Sequence, residues 1–413
     1  MDKNLLKRII LNNQSLIASI KVTERDISLE RNANYIFVGP RRAGKTYLLY
    51  QIIQKNYLND LEKVLYINFE DERLIELNHK SLQLILDSYA ELYPHKPILF
   101  FDEIQNIEHW EKFVRRLADE KYRIFITGSN STMLSGQMAS TLGGRFMIKE
   151  ILPLSFKEFL KFNRLTLDKN FQFSPQAVEI KKLFNTYLKY GGFPELIHFD
   201  NKQAYLSNLY RKLLFGDIIT RYQIKNIKAI QLIIKKIAES VNNETSVNRI
   251  KNLIKSIGIP VGASTVFEYL HYLKESYLLF SIENFSHKFV ERESKKKYYF
   301  VDNGLLNLFL FDQDTKLLEN LVYLHLRRKY REIFYYKRNR EVDFYIPQAE
   351  LLIQVSYDIT DIETEKREVL ALYQAQRELK VKKLLIITHD TQKDIEYKNL
   401  HINVIPAYEY LLS

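Results

Sequence analysis

Eight consecutive residues, Gly39-Pro40-Arg41-Arg42-Ala43-Gly44-Lys45-Thr46, match the pattern G-x-x-x-x-G-K-[ST]. The run before them, Tyr35 to Val38, is short and apolar like a strand. The run after them carries Leu48, Leu49, Ile52 and Ile53 at helical spacing. A strand that enters a glycine loop opening onto a helix aims backbone N–H groups and a positive helix end at phosphate. Lys45 is then placed for the β- and γ-phosphates of a nucleotide, and the Thr46 hydroxyl for a Mg²⁺ ion. Arg41 and Arg42 add positive potential inside the loop.

A second motif follows in the order this chemistry needs. Pro97-Ile-Leu-Phe-Phe101-Asp102-Glu103 is an apolar strand ending in two acids. Asp102 is the expected Mg²⁺ ligand and Glu103 the group that orients and polarises a water. A carboxylate there separates hydrolysis from binding alone, because in-line attack needs a positioned acceptor. A third strand, Arg123 to Thr127, ends in Gly128-Ser129-Asn130. Asn130 or Ser129 is placed to sense the γ-phosphate, unless the triplet is simply a turn. Beyond it, Arg145 follows a double glycine and reads as an arginine finger or as a surface arginine. A finger acts within its own chain or across the interface of a homo-oligomer.

These side chains need a scaffold. Strand-like runs near 35–38, 64–69, 98–101, 123–127 and 147–152 predict a parallel sheet flanked by helices, an α/β P-loop NTPase core over residues 1–152. Ser155 and Glu158 then form a capping-box pattern, and a helical stretch broken at Gly191-Gly192-Phe-Pro194 predicts a lid over 153–222. Over 223–310, helices at 227–241 and 247–257 precede a third that starts at Ser264 or Thr265, with Thr265 and Glu268 as a further capping box. Strands at 277–282 and 297–301 complete a winged helix. Its charged wing carries Lys288, Arg292, Lys295, Lys296 and Lys297 against Glu291 and Glu293. Such a wing suits double-stranded DNA or a protein partner.

Residues 311–413 read as helix, three strands, helix, strand, strand, the order of the restriction-endonuclease (PD-(D/E)xK) core. There a helix Glu, a strand Asp and an E-x-K on the next strand gather around Mg²⁺. Glu319 and Asp343 fill the first two places. The third reads Gln354-Val-Ser356, with neither the carboxylate nor the lysine that metal-assisted cleavage wants. The expectation is a degenerate site without nuclease activity.

Composition sets the outer bounds. The 413 residues are 46% hydrophobic and 27% charged, ordinary globular proportions with room for several domains. The absence of cysteine excludes disulfides, thiolate metal sites and cysteine nucleophiles, and a cytoplasmic address fits. The net charge of +11 permits an anionic partner. No apolar run is long enough for a membrane span, and the first ten residues read as an amphipathic helix rather than a signal peptide.

The chain resembles the predicted ATPases of the AAA superfamily found in archaea and bacteria, with a fused C-terminal domain of unknown function. Gly39–Thr46, Tyr66–Asp71, Phe101–Gln105, Thr127–Ser131, Gly144-Arg145, Pro153–Leu160, Tyr190–Pro194, Tyr299–Leu305, Glu341–Phe344 and Ile353–Val355 carry the resemblance, which spans nearly the whole chain. It implies an ATPase core using ATP and Mg²⁺, a winged helix and an endonuclease-like tail. Some relatives keep E-x-K in the tail, and this chain departs from them. The resulting expectation is a Mg²⁺-dependent ATPase acting as a nucleotide-driven switch or motor near nucleic acid. The alternatives are a nucleotide-gated partner-binding module with little turnover, and a nuclease under ATP control.

Overall fold

Five short apolar runs in the amino-terminal part form five parallel strands, β1 (Asn34–Val38), β2 (Val64–Asn68), β3 (Ile98–Asp102), β4 (Ile124–Gly128) and β5 (Phe146–Glu150). Their order is β2-β3-β4-β1-β5. The structure, a computed structural model, describes residues 1–130, 133, 136–311 and 313–413. It divides into two units, Met1–Leu152 and Pro153–Ser413. In the first unit the helices are α1 (Lys3–Ser19), α2 (Lys45–Tyr57), α3 (Gln83–Ala90), α4 (Trp110–Asp119) and α5 (Gly136–Thr141). α2 lays Leu48, Leu49, Ile52 and Ile53 against Tyr35, Phe37, Phe100 and Phe125 of the sheet, with Ile17 of α1 in the same cluster. Each such burial contributes about 1.5–3 kcal/mol, so the face that carries the phosphate loop is held rigidly.

The second unit opens with α6 (Phe156–Phe162), α7 (Gln176–Tyr190), α8 (Lys202–Lys212) and a π-helical turn over Leu213–Thr220. The capping box at its start is formed: Glu158 N donates to Ser155 Oγ at 3.2 Å and Ser155 N to Glu158 Oε2 at 2.9 Å. Next come α9 (Ile227–Glu239), β6 (Thr245–Ser246), α10 (Val247–Ser256), α11 (Ala263–Glu275), β7 (Leu279–Asn284), α12 (Phe289–Ser294), β8 (Lys295–Phe300) and α13 (Asn303–Asn307). The unit closes with α14 (Asp314–Lys329), β9 (Phe334–Lys337), β10 (Glu341–Ile346), β11 (Leu351–Val355), α15 (Ile362–Leu379), β12 (Lys383–Thr388), β13 (Lys393–Tyr397), β14 (Leu400–Pro406) and α16 (Ala407–Tyr410).

Two local expectations fail here. The capping box at Thr265 and Glu268 does not form, because α11 starts earlier, after an extended Gly262 that provides no side-chain cap. Thr265 therefore lies inside the first turn. The wing is also no plain charged loop: α12 occupies its middle, and Lys295 to Lys297 already belong to β8.

The unit's nine strands form one sheet in the order β13-β14-β12-β11-β10-β9-β7-β8-β6. β7 runs parallel to β9, with Glu283 opposite Phe334 and Asn284 opposite Tyr335. Asn284 strengthens this seam, donating from Nδ2 to Lys337 O at 2.9 Å and accepting at Oδ1 from Lys337 N at 3.1 Å. Where β10 meets β9 the register slips between Val342 and Tyr345, so Asp343 sits on an irregular stretch of strand. Such bulges re-aim side chains.

The double glycine ending α7 does more than stop a helix. Gly192 N donates to Asp302 Oδ2 at 2.7 Å, and Gly304 N to Asp302 Oδ1 at 2.8 Å. Gly191 has φ 75°, and a Cβ there would lie 1.9 Å from Asp302 Oδ1. Only glycine admits both the left-handed backbone and the close approach.

Candidate functional site

β1 delivers the glycine loop to one edge of the first sheet. Gly39 N donates to Gly128 O at 3.3 Å, which ties the start of the loop to the end of β4. A Cβ on Gly39 would meet Ile151 O at 2.0 Å, so the backbone passes where no side chain fits. Arg42 and Gly44 take positive φ values of 62° and 89°, turning the loop into the first turn of α2. No side chain caps that helix, so its first N–H groups and its positive end are left to a ligand. Lys45 is buried and folds back, its Nζ donating to Gly39 O at 3.1 Å and Pro40 O at 3.0 Å. Arg25 braces the loop from outside, from Nη1 to Ala43 O at 2.8 Å and from Nη2 to Leu152 O at 3.0 Å. Arg41 pairs with Glu70 at 2.8 Å.

The two acids arrive at the same edge from β3, with β4 between β3 and β1. Asp102 is fully buried and accepts from Thr46 Oγ1 at 2.8 Å, from Tyr66 OH at 2.8 Å and from Thr127 Oγ1. Burial, then the neighbouring Glu103, push its carboxyl above the usual carboxylate range against those bonds. The pair expected to hold Mg²⁺, Thr46 and Asp102, is thus already in contact. Glu103 stands in the left-handed region with φ 51°, a conformation costing roughly 1–2 kcal/mol, and its N donates to Thr127 Oγ1 at 2.9 Å. Its carboxylate lies 3.4 Å from Lys45 Nζ and accepts from Gln105 Nε2 at 2.5 Å. Burial pushes Glu103 up, but Lys45, Gln105, Ser129 and Arg41 outweigh it, and the group ends below its ordinary value. Glu103 is therefore ionised at neutral pH. Ser129 and Asn130 follow β4 at this edge, and Ser129 Oγ accepts from Gln105 Nε2 at 3.2 Å. Ser131, part of the same matching stretch, lies outside the described residues.

Arg145 does not join this site. β5 pairs with β1 so that Phe146 faces Asn34 and Glu150 faces Val38. Arg145, just before β5, therefore sits at the opposite edge from the glycine loop, roughly 15 Å away at ~3.3 Å per residue. There it holds Asp119 at 2.5 Å and Gly143 O at 3.3 Å. A finger role within the same site is thus corrected by strand register. Tyr66, Gln105 and Arg25 were not singled out from sequence. Tyr66 and Gln105 lie within stretches that carry the resemblance, but nothing in their spacing points to Asp102 or Glu103.

In the second unit, α14 supplies Glu319, β10 supplies Glu341 and Asp343, and β11 supplies Gln354. The expectation of a site without lysine is corrected. Lys297 of β8, placed on the wing from sequence, is fully buried, with Nζ 3.3 Å from Glu319, 2.7 Å from Glu341 and 3.1 Å from Asp343. Burial alone would lower its pKa, but Glu319, Asp343 and Glu341 raise it well above the ordinary lysine value. Tyr299 OH donates to Glu319 Oε1 at 2.8 Å. Asp343 is pushed up by burial and by Glu319, against the pull of Lys297. Gln354 is engaged at both ends: Oε1 accepts from Asp343 N at 2.7 Å, and Nε2 donates to Glu368 of α15. Ser356 turns away, its hydroxyl donating to Asp358 O at 2.9 Å. A cavity of about 510 Å³ opens beside Glu319, Glu341, Asp343, Gln354 and Glu368. Among the described residues no group of three or more acidic or histidine side chains is arranged to hold a metal ion, and no helix is long and apolar enough to cross a membrane.

Comparison with known proteins bears on the family of the chain. Residues 31–160 match the family described as AAA domain, and residues 181–316 match a domain of unknown function, DUF8612. An uncharacterized protein of Methanocaldococcus jannaschii is 38% identical over 100% of this chain and 96% of its own length. One from Haemophilus influenzae is 30% identical over 79% of this chain and 83% of its own length. Among solved structures, the Walker-type ATPase PABY2304 of Pyrococcus abyssi aligns at a TM-score of 0.40 and 14% identity, covering 75% of this chain and 95% of that one. The chain belongs to the family of these archaeal and bacterial relatives and is itself a P-loop protein of the AAA-ATPase type.

Proposed function

We propose that the first unit binds ATP with Mg²⁺ and hydrolyses it, and that the protein is a nucleotide-driven switch. One observation carries this reading: the Thr46–Asp102 contact and the Lys45–Glu103 pair bring the four expected groups together at the mouth of an uncapped helix. The backbone N–H groups of the loop from Arg41 to Thr46 would cradle the phosphates, and Lys45 would exchange its carbonyl partners for phosphate oxygens. Thr46 and Asp102 hold the metal. A Mg²⁺ ion held there would neutralise the charge that develops on the phosphate oxygens. Glu103, kept ionised, accepts a hydrogen bond from the attacking water, and Asn130 senses the γ-phosphate. The test is a pair of variants: Lys45→Ala loses nucleotide affinity, while Glu103→Gln keeps affinity and loses turnover. Full turnover in Glu103→Gln would sink the mechanism.

The second unit reads as a winged-helix segment followed by a nuclease-like core that does not cut. The Lys297 ammonium lies between the carboxylates that a metal ion would need. The wing has little charge to offer a duplex. Lys297 is buried, Lys296 bonds Glu283 and Glu293, and Arg292 bonds the His287 and Phe285 carbonyls. This favours a protein partner over DNA.

A further inference from the structure

Glu103 has to be held as well as ionised. It follows the last residue of β3 in a left-handed conformation, and the turn Ile104–Asn106 after it carries Gln105 back beside it. One amide group, Gln105 Nε2, lies 2.5 Å from Glu103 Oε2 and 3.2 Å from Ser129 Oγ. Ser129 also bonds the Glu103 carboxylate, so Gln105 and Ser129, from the ends of two strands, close a ring with it. The amide orientation is dictated by charge: turned over, Gln105 would present its carbonyl oxygen to a carboxylate that only accepts. The result is that Gln105 Oε1 is buried without a hydrogen-bond partner among the described residues. The amide also lies close over Gly128, where a Cβ would come 3.0 Å from Oε1 and 2.0 Å from Met133 Sδ. An amide that gives up its acceptor, wedged over a glycine, is built around the group it donates to.

We propose that Gln105 is the positioning residue of the hydrolytic site: it ties the Glu103 carboxylate to Ser129 and so sets turnover rather than nucleotide binding. The inference rests on the hydrolytic reading above. Glu103 otherwise has Lys45 as its nearest cation, and Lys45 has phosphate to bind. A carboxylate released from Gln105 would follow the ammonium and leave the water.

The experiment measures ATP turnover against ATP concentration, together with binding of a fluorescent ATP analogue, for wild type, Gln105→Ala, Gln105→Glu and Glu103→Gln. Gln105→Ala should lose about 10–100-fold in kcat, the range typical of groups that orient a primary ligand or base. KM and analogue affinity should stay within about threefold, since a smaller change than that is under 1 kcal/mol of binding. Gln105→Glu, which removes the donor and sets a second carboxylate against Glu103, should lose at least as much kcat. Unchanged kcat in Gln105→Ala overturns the proposal, as does a loss confined to KM or analogue affinity. If Glu103→Gln is inactive while Gln105→Ala matches wild type, this inference fails and the hydrolytic reading stands. A wild type without turnover overturns both.

Discussion

Removing the Lys297 ammonium should unfold the second unit more readily than almost any other single change. The side chain is fully buried with three carboxylates within 3.3 Å, two of them, Glu319 and Asp343, themselves buried or nearly so. Glu341 keeps a second cation, Lys337 at 2.8 Å, so it is the least affected. Lys297→Met preserves the aliphatic volume and leaves Glu319 and Asp343 facing each other uncompensated. Breaking a buried pair this way costs about 3–5 kcal/mol. For a unit of this size that corresponds to a fall in melting temperature of roughly 6–20 °C. The sign of its pH dependence follows from the charges. Without the ammonium, Asp343 loses the cation that opposes burial and Glu319 and is pushed higher still in the folded state, so the variant is least penalised in acid and loses stability as pH rises toward neutrality. Adding Glu319→Gln should return most of the loss by removing one of the stranded charges. The assay is thermal unfolding of the second unit across pH, with ATP-analogue affinity of the first unit as the control that the change is local. A loss under about 1 kcal/mol, or no recovery in the double variant, would show that the cluster is not held as an ion network.

Asp302 gives a test of the same sign in the wild-type protein. Burial pushes it up to about 6 from 3.8, against the N–H groups of Gly192, Gly304 and Leu305. Between those values the folded state binds the extra proton, so stability should fall by about 3 kcal/mol as pH rises through that window, and Asp302→Asn should flatten this slope in thermal melts. Arg145→Ala should leave ATP turnover within about twofold in dilute protein, because the residue lies at the far edge of the sheet; a large drop would mean that it acts across an interface. Incubation with supercoiled DNA and Mn²⁺ should give no nicking, and cleavage that disappears in Asp343→Ala would revive the nuclease. Finally, duplex binding by wild type should be weak at low salt. A steep salt dependence that flattens by about 0.9 log unit for each phosphate left unneutralised in Lys288→Ala and Lys295→Ala would restore the DNA reading.

What could be read from the sequence was what the chain determines locally. The glycine loop and the Asp102-Glu103 pair are contiguous, and their geometry follows from a strand turning into a helix, so residue types alone place Lys45, Thr46, Asp102 and Glu103. Of the readings left open for Arg145, the finger within its own chain fails because its end of the sheet depends on how β5 pairs with β1, and spacing does not encode that. Lys297 was misassigned for a related reason. In a run of three lysines on a charged loop nothing marks the third as buried, and its carboxylate partners lie 22 to 46 residues away. Tyr66 and Gln105 act through hydrogen bonds across strand ends, a pattern with no periodicity to detect. β13 was missed because Lys393–Tyr397 alternates exposed and half-buried positions on a sheet edge, with little apolar signal.

The seam between β7 and β9 has a mechanical consequence. Two facing residue pairs and the two Asn284 bonds make the strands before and after α13 and α14 share one hydrogen-bonded fabric. A signal reaching either side cannot be spent in a hinge between them. Any displacement must shear the seam or carry the whole sheet along as a stiff lever. Amide exchange should therefore report β7 and β9 opening together, and Asn284→Ala should let β7 exchange ahead of β9, turning one plate into two.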